Sequence, residues 1–218
     1  MRCPVCEALA ARFFLHVETR DYWRCGECEA TFLDPAQLPD ANTERARYRL
    51  HRNEPGDEAY RQFLGRLATP LLERLPPTQH GLDYGCGPGP ELAVMLRESG
   101  HTMALYDPLF FDDVAVLDQT YSFITCTEVA EHFHHPGREF KRLDRMLKPG
   151  GWLAVMTSFQ TDEEHFADWH YRRDPTHVVF YREATFHLLA RHYGWRCEIP
   201  RLNVALLQKI GVSCNTTG

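Results

Sequence analysis

The chain has 218 residues, 44% of them hydrophobic, enough to bury one substantial α/β core with a small appendage. No run approaches the roughly 20 apolar residues that a membrane-spanning helix requires. A formal net charge of −6 gives no support for a nucleic-acid partner.

Met1-Arg2-Cys3-Pro4 starts directly on a cysteine motif, so no signal peptide and a cytoplasmic location are expected. The eight cysteines form two groups. Cys86, Cys126, Cys197 and Cys214 are scattered, and the first three sit in or beside predicted elements, where free cysteine packs as a small hydrophobe. Cys3-x-x-Cys6 and Cys25-x-x-Cys28 are eighteen residues apart, within the spacing of a four-cysteine zinc site. Two disulfides or a redox pair are the alternatives, but so small a module needs a staple to fold and no secreted context is evident. Residues 12–17, 22–24 and 30–33 suggest short strands around the pairs. Residues 1–40 thus resemble a zinc ribbon, and four thiolate ligands imply a structural ion rather than a catalytic one. The module carries Arg2, Arg12, Arg20 and Arg24 against Glu7, Glu18, Asp21, Glu27, Glu29, Asp34 and Asp40, a poor balance for gripping phosphates.

Residues 41–56 read as a linker helix, basic over Glu44-Arg45-Ala46-Arg47-Tyr48-Arg49-Leu50-His51-Arg52. That stretch either meets an anionic substrate or RNA, or is a solvated face. Asn53-Glu54-Pro55-Gly56 marks a boundary. Tyr60, Phe63, Leu64, Leu67, Leu71 and Leu75 then form one face of a helix bent at Pro70.

His80 to Asp83 reads as a short buried strand running into Gly85-Cys86-Gly87-Pro88-Gly89, with a helix from Pro90. Glycine suits a sharp turn that a ligand must approach closely. The spacing is Gly-x-Gly-x-Gly, whereas the dinucleotide fingerprint needs Gly-x-Gly-x-x-Gly. Asp83 would repel a pyrophosphate and suits a ligand bearing ammonium and sulfonium charge, as S-adenosylmethionine does. A second strand, Thr102 to Tyr106, ends at Asp107, where a carboxylate can accept from both ribose hydroxyls. Tyr121 to Thr127 is another strand, leading into Glu128-Val129-Ala130-Glu131-His132. Pro136 opens an amphipathic helix carrying Phe140, Leu143 and Leu147, which Lys148-Pro149-Gly150-Gly151 stops. Trp152 to Met156 is the next buried strand.

Asp83-x-Gly85-Cys86-Gly87-x-Gly89, Glu128-x-x-Glu131-His132 and Lys148-Pro149-Gly150-Gly151, in this order, resemble the class I S-adenosylmethionine-dependent methyltransferases, and within them the quinone-biosynthesis branch. The resemblance covers roughly residues 57–212 and leaves 213–218 as a tail. It implies an α/β, Rossmann-like sheet with helices on both faces and a C-terminal antiparallel hairpin, formed by strands near 195–199 and 203–207. It assigns cofactor contacts to Asp83, Gly85, Cys86, Gly87, Gly89, Asp107, Pro108, Thr127 and Glu128. The chain departs from the family between Asp107 and Tyr121, where residues 108–120 cannot hold a full helix and a further strand. Asp118 is the candidate for the family's adenine-side acid, and Phe110 and Phe111 either cover the adenine ring or pack in the core.

Methyl transfer from a sulfonium needs chiefly alignment, plus a base where the acceptor must lose a proton. Glu128, Glu131 and His132 are spaced to share a helical face, and in the quinone enzymes the matching residues can hold a divalent metal. A second cluster, Trp169 to Tyr181, is rich in aromatic, cationic and imidazole groups and is placed to act as a lid over the acceptor. His177 is the first candidate for the base, with Asp174 or Thr176 orienting it; Glu128 and His132 are the others. The bland reading is a turn capped by Asp174 and Thr176. The expected activity is methyl transfer to an O, N or C atom of a small molecule. RNA methylation, a Rossmann oxidoreductase, and an inactive fold serving as a zinc-dependent interaction module are the alternatives. Oligomeric state is not legible.

Overall fold

The computed structural model describes residues 1–48 and 56–211; the expected helix beyond Tyr48, Asn53-Glu54-Pro55, Cys214 and the tail lie outside them. A six-stranded sheet is built from β4 (His80–Tyr84), β5 (Thr102–Tyr106), β6 (Tyr121–Thr127), β7 (Leu147–Met156), β9 (Trp195–Arg201) and β10 (Val204–Lys209), in the order β5-β4-β6-β7-β10-β9. β5, β4, β6 and β7 are parallel, and β10 enters antiparallel between β7 and β9 as the expected closing hairpin. Parallel strands buried on both faces read as continuous apolar runs, which is why Phe123, Ile124 and Leu153 to Met156 are legible as core.

One face carries α2 (Glu58–Leu72) and α3 (Glu91–Glu98), whose Leu64, Leu67, Leu71, Leu92 and Leu96 pack on Phe123, Trp152, Ala154 and Leu206. Pro70 lies inside α2, which stops at Leu72, short of the expected Leu75. The other face carries α4 (Pro136–Met146) and α5 (Glu183–Tyr193), the latter closed by Gly194 at φ 68°, the left-handed cap that glycine adopts freely. The chain runs from β5 to β6 through a bridge between Asp107 and Phe111 and a single 3-10 segment, Val114–Asp118. The expected shortening is real, and β5 is left as the sheet's edge.

The amino-terminal module is woven into this core. β1 (Ala11–Val17), β2 (Arg20–Cys25) and β3 (Thr31–Leu33) form an antiparallel sheet whose fourth strand is β8 (Val179–Phe180), from the far end of the chain. Thr31 pairs with Phe180 and Phe32 with Val179, while Leu33 donates its N–H to the Val178 carbonyl at 2.9 Å. Tyr22, Phe166 and Phe180 pack edge to face beneath this sheet. Each such burial is worth on the order of 1.5–3 kcal/mol, and residues on both sides of the boundary expected at residue 40 share one buried cluster. No helix among the described residues is long and apolar enough to cross a membrane.

Candidate active site and cysteine centre

The two cysteine pairs form matching knuckles. Glu7 and Glu29, each following a second cysteine, take φ of 62° and 61° and donate their N–H to the carbonyls of Cys3 and Cys25. The turn brings all four sulfurs within 4.8 Å of one another. Cys3 Sγ lies 3.6 Å from Cys28 Sγ and Cys6 Sγ 3.6 Å from Cys25 Sγ. A disulfide is about 2.05 Å long, whereas thiolates on a tetrahedral zinc at about 2.3 Å stand roughly 3.8 Å apart. The donor set and spacing therefore fit zinc and not disulfides. Cys3, Cys25 and Cys28 are buried, as a closed structural site demands.

The carboxyl ends of β4, β5 and β6 open into one cavity of about 1010 Å³. Asp83, Gly85, Cys86, Gly87 and Gly89 line it from the first loop. Asp107, Pro108, Thr127 and Glu128 complete the same wall, so every expected cofactor contact faces one space. Gly85 is required sterically: its φ is 81°, and a Cβ there would lie 2.4 Å from Val129 Cγ2. Gly87, at φ 64°, has nothing within 4 Å of where its Cβ would be, because the direction is cavity. Asp107 straps the loops together, accepting from the N–H of Gly87 at 3.0 Å, Leu109 at 2.9 Å and Phe110 at 3.2 Å. Asp83 is buried and accepts from the Thr125 hydroxyl at 2.7 Å; burial pushes its carboxyl up to about 6. Thr127 Oγ1 is buried without a partner on this wall, the kind of atom that a ligand satisfies. Phe110 lines the cavity but Phe111 and Asp118 do not. With no helix and strand to carry it, Asp118 ends a 3-10 turn outside the site.

At the other end of the cavity the structure corrects the expected helical face. Glu128 takes φ 53° and only Ala130–His132 turns, as a 3-10 segment, so Glu128, Glu131 and His132 do not share a helix face. A left-handed non-glycine residue marks stored strain, here at the cavity wall. The group that converges is instead Glu131, His132 and His177, with ligand atoms within 4.8 Å of one another; Glu128 is not in it. His132 Nδ1 lies 3.0 Å from the Thr176 carbonyl and His177 Nδ1 lies 2.7 Å from the Tyr171 carbonyl. A carbonyl only accepts, so both rings carry the proton on Nδ1 and keep the Nε2 lone pair. Backbone, not Asp174 or Thr176, orients His177; Asp174 instead caps its turn through the Thr176 N–H and hydroxyl. Burial lowers the His177 pKa, keeping it a neutral base.

Tyr171, which the sequence reading does not single out, links the two glutamates of this wall. Its hydroxyl donates to Glu131 Oε1 at 2.5 Å and stands 3.3 Å from Glu128 Oε2. Burial, then repulsion from Glu131, pushes the Glu128 carboxyl up to about 8, and burial raises Glu131 as well. Glu131 Oε2 is buried and has no hydrogen-bond partner among the described residues. A carboxylate oxygen without a donor beside two imidazole lone pairs fits a divalent cation. The only sign of Tyr171 in the sequence is its place in the aromatic run of the lid.

α1 (Ala41–Tyr48) is not a free linker. Arg47 holds Asp174 through Nε and Nη2, both at 2.8 Å, Glu44 meets His134 at 2.9 Å, and Tyr48 sits edge-on to His132. The helix and the lid together wall the acceptor end.

The sequence profile of the family described as "Methyltransferase domain" matches residues 51–198. No curated protein matches the sequence. Among solved structures, the chain is similar to the 1,6-didemethyltoxoflavin-N1-methyltransferase of Burkholderia thailandensis, solved with 1,6-didemethyltoxoflavin and S-adenosylhomocysteine bound. The TM-score is 0.57 at 14% identity, covering 92% of this chain and 99% of that one. An O-methyltransferase family protein of Burkholderia thailandensis aligns with a TM-score of 0.54 at 15% identity, over 81% of this chain and 65% of that one.

Proposed function

Because the chain belongs to the methyltransferase-domain family and is an enzyme of that type, we propose that it moves the methyl group of S-adenosylmethionine to a nucleophilic atom of a small molecule. The observation that carries this reading is the single cavity shared by the glycine loop, Asp107 and the lid imidazoles. Its volume suits a cofactor together with a small acceptor, and the acidic amino-terminal module disfavours RNA. Bound there, S-adenosylmethionine supplies a methyl group already activated on sulfur, leaving alignment and proton removal to the protein.

Each residue then has a task. Gly85 and Gly87 leave room for the ligand against the backbone. Asp107 holds the loop and presents its remaining acceptor capacity to the ribose. Asp83 faces the cationic end, and Thr127 offers its free hydroxyl. His177 Nε2 takes the acceptor's proton as the new bond to the methyl carbon forms and the carbon–sulfur bond breaks. Where the acceptor needs a divalent cation to lower its pKa, Glu131, His132 and His177 would hold it instead, with His177 Nε2 then a ligand and not the base; with Glu128 nearby, this set supports the quinone-type branch. The cysteines hold zinc, and reduced thiols in such a site suit a cytoplasmic enzyme.

Asp83 gives a pH test. A cation binds its ionised form, so affinity should be full above about pH 6, the value to which burial raises the carboxyl. It should fall by up to about tenfold per unit below that, as the carboxyl takes up a proton. Asp83→Asn should bind more weakly at pH 7.5 and show a flat profile. Calorimetric titration of S-adenosylmethionine between pH 5 and 8 decides it; an unchanged profile in the variant rejects Asp83 as the cation's partner.

The zinc reading predicts a local rather than global failure. Cys25→Ser should lose one equivalent of metal and expose residues 1–40 and the lid to protease, because β3 pairs with β8 and Thr185 donates to the Cys28 carbonyl at 2.8 Å. Affinity for S-adenosylmethionine should stay within about twofold, since the glycine loop lies on the main sheet. Metal-free protein with four oxidised cysteines in a fresh preparation would overturn the assignment.

A further inference from the structure

The basic segment seen in the sequence faces the acceptor end of the cavity. Arg45 and Arg47 of α1 and Arg173 of the lid line the cavity with Glu44, Glu128, Glu131 and Asp174, while Arg142 and Glu139 line it beside Tyr84. Most of these carboxylates already have partners. Asp174 is bonded by Arg47, Glu139 by Arg142 and the Tyr84 hydroxyl, and Glu131 by the Tyr171 hydroxyl, while Glu44 stands 2.9 Å from His134 Nε2. Hydrogen bonds from Thr176 and Arg47 outweigh burial and hold Asp174 down to about 2, so it stays an anion committed to Arg47. Arg45 and Arg173 make no hydrogen bond or ion pair among the described residues, and both are exposed at the mouth. The mouth therefore carries two uncommitted guanidinium groups in a chain whose net charge is −6. Tyr48, Phe133 and Tyr171 give the space behind them aromatic walls.

We infer that the acceptor carries an acidic group, a carboxylate or a phosphate, which Arg45 and Arg173 hold at the mouth while the methyl-accepting atom reaches His177. The inference rests on the methyl-transfer reading of this cavity and adds the chemical class of the acceptor. A guanidinium suits either anion through paired N–H donors. Two cations at an open rim also draw an anionic ligand in from solution, an effect that salt screens.

Three probes that differ at one group test it: benzoate, phenyl phosphate and benzamide, titrated calorimetrically into the full chain saturated with S-adenosylhomocysteine. At least one anion should bind about tenfold or more tightly than benzamide, and 0.5 M salt should erase most of that margin. The doubly substituted Arg45→Gln, Arg173→Gln protein should bind all three alike, with unchanged affinity for S-adenosylhomocysteine and an unchanged melting transition. Preference for benzoate assigns a carboxylate acceptor and preference for phenyl phosphate a phosphate. Equal binding of the three probes, binding of none, or a preference that survives both substitutions would overturn the inference. Failure to bind S-adenosylhomocysteine at all would instead reject the methyl-transfer reading beneath it.

Discussion

Gly87→Val should abolish measurable binding of S-adenosylmethionine, a loss of at least about 100-fold, while the protein stays folded. Gly87 lines the cavity and nothing lies within 4 Å of where its Cβ would be, so a branched side chain there extends into ligand space. Valine also resists the φ of 64° held at this position, which would shift the N–H that Asp107 accepts. Gly87→Ala separates the two effects, because it carries the backbone strain with much less bulk and should bind with an intermediate affinity. Near-normal affinity in Gly87→Val, measured calorimetrically on protein with an unchanged melting transition, would remove the loop from the binding site.

His177→Ala should leave cofactor affinity nearly unchanged and lower turnover by about 10²- to 10⁴-fold, the usual contribution of a general base. The wild-type rate should rise with pH as His177 loses its proton, at a pH below the ordinary imidazole range because burial lowers that pKa. In the variant that limb should vanish, and raised pH should restore activity in part when the acceptor ionises unaided. A ligand role is separable from a base role. If Glu131, His132 and His177 act by holding a cation, EDTA should silence the wild type and manganese should restore it, and His177→Ala should weaken manganese binding. A variant that melts earlier yet turns over normally per folded molecule would make His177 merely part of the turn that Asp174 caps, and would move the base to Glu128 or His132.

What the sequence disclosed and what it hid follow from the range of the interactions involved. The glycine loop, Asp83 and Asp107 were legible because a strand, a tight turn and a helix are written in neighbouring residues. The cysteine knuckles were legible for the same reason. The pairing of Thr31 with Phe180 was not, because it joins residues far apart and a two-residue strand leaves no period to read. Hence the cysteine module looked like an appendage although it forms the floor of the lid. The place of α1 was hidden in the same way: Arg45 and Arg47 look like a solvated charge run until Asp174 is brought to them. His177 lines the cavity as expected, but its orienting partner is the Tyr171 carbonyl, and a backbone atom has no residue type to betray it. Glu128 was assigned to a helical face because i, i+3 and i+4 spacing suggests one, and its left-handed backbone overrides that spacing. Thirteen residues between Asp107 and Tyr121 did announce a missing strand, but not that Asp118 would fall outside the cavity.

Native mass spectrometry of the full chain tests the central claim most directly, since it weighs the protein together with whatever it holds. The expected spectrum shows the chain with one zinc ion, gaining one S-adenosylmethionine on addition and exchanging it for S-adenosylhomocysteine. Gly87→Val should keep the zinc and gain neither nucleoside, and Cys25→Ser should lose the zinc and still gain both. A wild-type chain that stays at its bare mass with S-adenosylmethionine in excess would contradict the account.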